Sequence, residues 1–300
     1  MVRWPTPIEY QDALSSPAAC LLAPDLQRAV ITEQTLYGAP LPVAGQFAHV
    51  YHLRLPDGRN YALRLFLREA SDRAARYEAI QSYIQTLPPQ PLLVRFAYSP
   101  NGIRIASSNY PVVVMDWVEG EPLHLYIERN LNHPERLEKL TTDWVTLIET
   151  LETVRIAHGD LQQDNLLIDP ETGALTLIDY DGMFVPALSG RPSAELGHPA
   201  YQHPLRDRSH FGPALDRFSA LVIFATLRIL CAAPDLWYRF HNGDNLLFRR
   251  EDYLAPDASM AFRTTREAVW RSREALRALN TLKAACHAAP LEAPRMEIAL

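Results

Sequence analysis

"IAHGDLQQDNLLIDPETGALTLIDYDG", Ile156 to Gly182, is the stretch that decides how this chain is read. Leu166–Ile168 and Leu175–Ile178 are short apolar runs, and "DPETG" between them is turn chemistry, so the segment is a β-hairpin. Pairing the two strands puts Asn165, just before the first, beside Asp179, just after the second. Asp160 lies on the loop leading in. Three oxygen-bearing side chains thus gather at one end of a hairpin. Oxygen ligands of this kind suit Mg2+, which takes a few protein oxygens together with substrate phosphates. The remaining carboxylate is then free to orient or deprotonate an attacking hydroxyl. Asp and Asn are also common turn residues, and any one of them alone reads that way. The ordered set H-x-D-x-x-x-x-N, hairpin, I-D does not.

The rest of the chain frames that segment. Its 300 residues suit one large domain or two lobes, and 48% hydrophobic with 21% charged content is ordinary for a globular protein. A net charge of −6 gives no support to a nucleic-acid or anionic-membrane partner. Cys20, Cys231 and Cys286 are far apart and form no CxxC pair, so neither a disulfide framework nor a zinc site is indicated. His198, His203 and His210 have no zinc spacing, and no G-x-x-x-x-G-K-[ST] loop occurs. The N-terminus lacks an apolar signal core, and a reduced, cytoplasmic location is expected. The most apolar run, Phe218 to Ala233, contains Arg228 and is short for a membrane span, so it reads as a buried helix. Of the 29 basic residues only Lys139 and Lys283 are lysines.

Residues 1–40 mix short apolar stretches with prolines and are expected to form an extension packed on the N-lobe. "HVYHLRL" and "NYALRLF" flank "PDGR", a hairpin signal. A helix is predicted from Ser71, with Tyr77, Ile80, Ile84 and Leu87 on one face. "PLLVRFAY" and "YPVVVMDWV" read as two more strands. From "DWVEGEPL" onward the pattern turns helical, with a long helix over 135–155, a second from Asp216 and an amphipathic one over 262–288. The expected fold class is α+β: a small β-rich N-lobe, 41–117, before a larger, mostly helical C-lobe, 118–260, with a C-terminal helix and tail over 261–300.

This arrangement resembles the protein-kinase-like fold. "HGDLQQDN" is similar to the catalytic loop of that fold, which implies Asp160 as the catalytic carboxylate and Asn165 as a metal ligand. "LIDYDG" resembles the D-F-G region, which implies Asp179 as the second metal ligand, with Tyr180 in the Phe place and Asp181 where glycine is usual. "VAGQFAHVY" resembles the glycine-rich loop through Gly45, Phe47 and Val50, with Val43 and Ala48 replacing the outer glycines. "YALRLF" resembles V-A-I-K, with Ala62 matching and Arg64 where the lysine is expected; Glu78 is the candidate partner of Arg64. Met115, Asp116 and Val118 fall at the joint between lobes, and the resemblance implies nucleotide contacts there. "GHPAYQHP" looks like the end of an activation segment, and "DRFSALVIF" like the central helix of the large lobe, with Asp216 bracing the catalytic loop. "WPTP" with Tyr10 near the start and "DNLLF" at 244–248 are shared with bacterial kinase-like proteins.

The resemblance implies ATP and Mg2+ as cofactors and a protein substrate. Three activities remain open. The first is a protein kinase acting on Ser or Thr hydroxyls. The second is a small-molecule kinase of the aminoglycoside or choline type, since "HGDL" and "IDYD" suit both. The third is a pseudokinase, for which Arg64 is the main argument, because Arg and Lys are not interchangeable at a phosphate site. Against the second stands the short stretch from Gly120 to Glu135. Kinases switched on by phosphorylation carry an arginine before the catalytic Asp; here that residue is Gly159, and Ser189 and Ser193 are the nearby hydroxyls.

Overall fold

The structure, a computed structural model, describes residues 3–45, 47–90 and 92–296. The chain divides into two compact units, Met1–Thr86 with Val94–Val118, and Leu87–Leu93 with Glu119–Leu300.

The first unit is a β-sheet carrying helices. It opens with α1 (Pro7–Leu14) and α2 (Pro17–Cys20), then β1 (Val30–Ile31), β2 (Val43–Ala44), β3 (Ala48–Arg54), β4 (Asn60–Phe66), α3 (Arg73–Thr86), β5 (Phe96–Ile105) and β6 (Ser108–Asp116). The antiparallel order is β1-β3-β4-β6-β5, with β2 also paired to β3. The β3–β4 turn is the one read from Asp57-Gly58, where Gly58 takes a φ of 88° that a side chain would resist. The "WPTP" stretch is a helix start. Thr6 caps α1, its hydroxyl accepting from the Glu9 N–H, the Glu9 carboxylate accepting from Thr6 N–H at 2.8 Å, and Pro7 fills the first turn.

Alternation along the strands sorts this sheet into two faces. Tyr51, Leu53, Leu63, Leu65 and Val112 form a core with Tyr10, Leu14, Cys20, Leu21, Leu26 and Ile31. Residues 10–31 therefore cover one face of the sheet. Each fully buried aliphatic side chain there contributes about 1.5–3 kcal/mol, and Leu63→Ala would cost about 2–5 kcal/mol. Trp4 Nε1 and the Tyr10 hydroxyl both donate to the Phe66 carbonyl, at 2.5 and 2.9 Å, tying the segment to the end of β4.

The second unit holds β7 (Glu121–Pro122), α4 (Leu123–Arg129), α5 (Pro134–Thr153), β8 (Leu166–Ile168), β9 (Leu175–Leu177), α6 (Arg217–Ala232), α7 (Leu236–Phe240), α8 (Arg250–Leu254), α9 (Met260–Ala268) and α10 (Arg273–Ala285). Strands β7, β8 and β9 form a small antiparallel sheet. Helix α6 is apolar nearly all round and almost wholly buried, as a central helix must be. α5 packs along it, and Trp144 Nε1 donates to the Ala220 carbonyl at 3.1 Å. No helix among the described residues is long and apolar enough to cross a membrane.

Several local expectations are corrected. The helix expected from Ser71 begins at Arg73, and Ile84 and Leu87 are only half-buried. The strand expected over "PLLVRFAY" starts at Phe96 and runs on to Ile105, absorbing "PNG" as an irregularity between Ser99 and Ile103. The helix expected over 262–288 is two, because Ser259 and Ser272 each cap a separate start, accepting from Phe262 N–H and Ala275 N–H.

Candidate active site

In the second unit, the loop 156–165 is fixed from several sides. Its entry pairs with Phe184: Ala157 N–H donates to Phe184 O at 3.1 Å and Phe184 N–H to Ala157 O at 2.7 Å. Gly159 crosses Gly182 so closely that a Cβ on Gly159 would lie 2.1 Å from the Gly182 carbonyl oxygen, and Gly159 holds a φ of 83°. Only glycine fits there. The buried Asp216, at the start of α6, accepts the His158 N–H at 2.5 Å and the Gly159 N–H at 2.8 Å. It does brace the loop. Burial pushes the Asp216 carboxyl above its ordinary pKa, while His158, the two N–H bonds and Arg206 pull it back.

Of the three polar residues at the hairpin end, Asp160 is half-exposed; its Oδ1 accepts the His198 N–H at 2.7 Å and its Oδ2 accepts from Asn165 Nδ2 at 3.1 Å. Asn165 Nδ2 also donates to the Asp160 carbonyl at 2.9 Å. With its amide nitrogen committed to Asp160, Asn165 offers Oδ1 to a cation. Strands β8 and β9 pair as expected, and Ile178 N–H donates to Asn165 O at 3.0 Å, so the backbone carrying Asp179 follows directly on that of Asn165. Asp179 stands at φ 65°, a left-handed conformation that three non-glycine residues adopt among those described. Such strain costs about 1–3 kcal/mol and persists only where the surroundings enforce it. Tyr180 is buried, and its hydroxyl donates to Leu177 O at 3.0 Å.

In the first unit, the paired positions Val50↔Arg64, Ala62↔Met115 and Arg64↔Val113 place Val50, Ala62, Arg64 and Met115 on one sheet face, opposite the face covered by residues 10–31. Arg64 is half-buried, its guanidinium 6.0 Å from the Phe66 ring. Gly45 sits at the β2–β3 turn, its N–H donating to Ala48 O at 2.9 Å, where a Cβ would itself lie 2.9 Å from that oxygen. Phe47 lies under the guanidinium of Arg68, 3.7 Å from its ring centre. Glu78 is on the exposed side of α3. The structure does not bring it to Arg64; the helix instead buries Arg76, which pairs with Asp72 at 2.5 Å. Asp116 pairs with Arg95 at 2.9 Å, beside Trp117, which stacks on His52, and the half-buried Val118.

The fit to Mg2+ is chemical. No group of three or more His, Cys, Asp or Glu able to hold a metal occurs among the described residues. Mg2+ needs less, since one or two carboxylates with substrate phosphates and waters complete its shell. Asn165 and Asp179 meet that demand.

Sequence reasoning missed two residues of the site. His198 reaches Asp160 through its backbone. Arg206 reaches Gly159 with its side chain, Nη1 to O 2.9 Å. Arg206 lies far along the chain from Asp160 and outside every motif; His198 lies within "GHPAYQHP", but nothing in that motif marks its backbone N–H as the partner of Asp160.

No protein-family model matches the sequence. Among solved structures, the Cydia pomonella granulovirus kinase superposes with a TM-score of 0.51 at 18% identity, covering 69% of this chain and 72% of that one. The chain has a protein-kinase-like fold. Among curated proteins, the kinase-like chain is 28% identical over 193 residues to CBL-interacting protein kinase 16 of Oryza sativa subsp. japonica. It is 32% identical over 137 residues to calcium-dependent protein kinase 20 of the same plant. These alignments cover 61% and 44% of the kinase-like chain, and it spans 41% and 24% of the two relatives. These similar proteins are plant and viral; the likeness to bacterial kinase-like proteins rests on "WPTP" and "DNLLF" alone.

Proposed function

We propose that the chain is an ATP- and Mg-dependent phosphotransferase, a protein kinase acting on Ser or Thr hydroxyls. The observation that carries this is the Asp160–Asn165 pair, held by Asp216 beneath and by the His198 N–H above. Such bracing leaves Asp160 half-exposed and fixed in orientation, as a group that must meet an incoming hydroxyl should be. Its relatives' printed names, protein kinases throughout, support the same reading.

Asp160 accepts the proton of the acceptor hydroxyl. Asn165 Oδ1 and the Asp179 carboxylate would hold Mg2+, which when bound would supply positive charge against that developing on the phosphates. Arg64 supplies a fixed positive charge for the α- and β-phosphates, as a forked donor in place of an ammonium. Val50, Ala62 and Met115 give the face it shares an apolar stretch, which suits the flat base of a nucleotide.

The test is phosphate transfer from ATP with Mg2+ to the protein itself or to a proteome extract, read by mass spectrometry, for wild type and Asp160→Asn. Transfer by wild type, with kcat lost in the variant and ATP affinity kept, is the expected result. Tight ATP binding without transfer by wild type to any acceptor would move the reading to a pseudokinase. Transfer only to small alcohols or amines would move it to a small-molecule kinase.

A further inference from the structure

Arg206 is a mostly buried arginine outside every motif read in the sequence. Its guanidinium makes a fan of bonds. Nη1 donates to the Gly159 carbonyl at 2.9 Å and to Gln202 Oε1. Nη2 donates to Ser193 Oγ and to the Glu195 carbonyl, both at 3.3 Å. Burial lowers its pKa, while Asp216, Asp160 and Glu195 favour the charged form. One side chain therefore joins the residue before Asp160 to the segment 193–195, and that segment leads straight to Gly197 and His198.

The segment is tight at both of its working points. Ser193 is buried, its N–H donating to Arg208 O at 2.8 Å and its hydroxyl to Glu195 O at 2.6 Å. It is not the free hydroxyl that a modifying enzyme needs. At the other end, Gly197 holds a φ of 72°, and a Cβ there would lie 2.7 Å from Asp160 Oδ1. That close approach is what lets the His198 N–H reach the same oxygen. Position 159 cannot carry a side chain of its own to organise this region.

We infer that Arg206 is the positioning residue of the proposed reaction: it clamps the 193–198 segment onto the loop of Asp160 from within, so that Asp160 is oriented without any phosphate on the chain. The inference deepens the phosphotransferase reading and rests on it for its kinetic consequence, but not for its structural one. A lysine cannot replace the clamp, because one ammonium cannot reach Gly159, Gln202, Ser193 and Glu195 as the planar fork does.

The experiment compares the 300-residue chain with Arg206→Gln and Arg206→Lys. Amide hydrogen exchange is followed at His198, whose N–H is bonded to Asp160, and at Ser193, with Ala220 in α6 as the reference. In both variants the His198 and Ser193 amides should exchange at least about tenfold faster while Ala220 keeps its protection. In phosphotransfer assays kcat should fall about 100-fold, the scale of a misplaced reacting group, with KM for ATP unchanged within about twofold. Unchanged exchange at His198, or an Arg206→Lys protein equal to wild type in exchange and kcat, overturns the assignment. If Arg206→Gln loses protection at Ala220 as well, its fold has failed and Arg206→Lys alone decides. If wild type transfers no phosphate at all, the phosphotransferase reading fails, and the His198 and Ser193 amides still decide whether Arg206 is the clamp.

Discussion

The ring of His158 ends 2.8 Å from the carbonyl oxygen of Ile178, Nε2 donating. This bond joins the loop of Asp160 to the residue just before Asp179, and the ring is fully buried. His158→Ala removes the bond, leaves the Ile178 carbonyl without this donor and opens a cavity. It should cost about 2–4 kcal/mol. Urea unfolding would show it as a lower midpoint at unchanged slope. A change within about 0.5 kcal/mol would mean that the loop and the hairpin are held independently.

Mg-ATP should stabilise the protein. At about 100 times its Kd a ligand adds roughly 2.7 kcal/mol. Thermal-shift titration with ATP should show a Mg-dependent part that disappears in Asp179→Ala, since that carboxylate is assigned to the metal. The absence of any shift at saturating nucleotide counts against the whole site.

Arg64 separates the kinase from the pseudokinase. If its charge carries the phosphates, Arg64→Ala should lose about 2–5 kcal/mol of ATP binding, well over tenfold in affinity. Arg64→Lys keeps the charge and should do little harm. Isothermal titration of both variants with Mg-ATP decides it, and unchanged affinity in Arg64→Ala rejects the role.

The cysteines make a pH prediction. Burial pushes the thiols of Cys20 and Cys231 up to about 11 and that of Cys286 up to about 12. At pH 8 a thiol with such a pKa is ionised in roughly one molecule in a thousand or fewer, and only the thiolate reacts. Alkylation of the native chain at pH 8 should therefore be slow, rise with pH, and become fast for all three in denaturant. Rapid labelling of Cys20 in native protein at pH 8 would show that residues 10–31 do not seal the sheet.

The hairpin and its three polar groups are legible in the sequence because their signals are local. "DPETG" and Asp57-Gly58 encode turns within a few residues, and apolar runs on either side supply the strands. Burial of α6 follows from an unbroken apolar run. The features that escape such reading have either a weaker local signal or none. Ser259 and Ser272 are ordinary serines until their hydroxyls are seen capping two helices. The sheet-covering role of residues 10–31 depends on which strand face lacks a partner, a fact that belongs to the assembled sheet. Arg206 acts on Gly159 across a long loop, and nothing in "HPLRDRSH" marks its first arginine as buried. Glu78 follows Tyr77 on α3, about 100° round the helix from that buried ring, so with Tyr77 and Ile80 turned inward Glu78 faces water and does not meet Arg64.

The chain's two lysines have a practical consequence. Lys139 pairs with Asp143 at 2.5 Å and Lys283 with Asp257 at 2.8 Å, both in the helical unit, and residues 1–118 contain none. If Arg64 carries the phosphates as proposed, reagents that profile nucleotide-binding proteins by delivering an acyl group to an amine beside the phosphates would find only a guanidinium at position 64. Surveys that rely on such chemistry would then pass this protein over, whereas arginine-directed dicarbonyls would address that guanidinium.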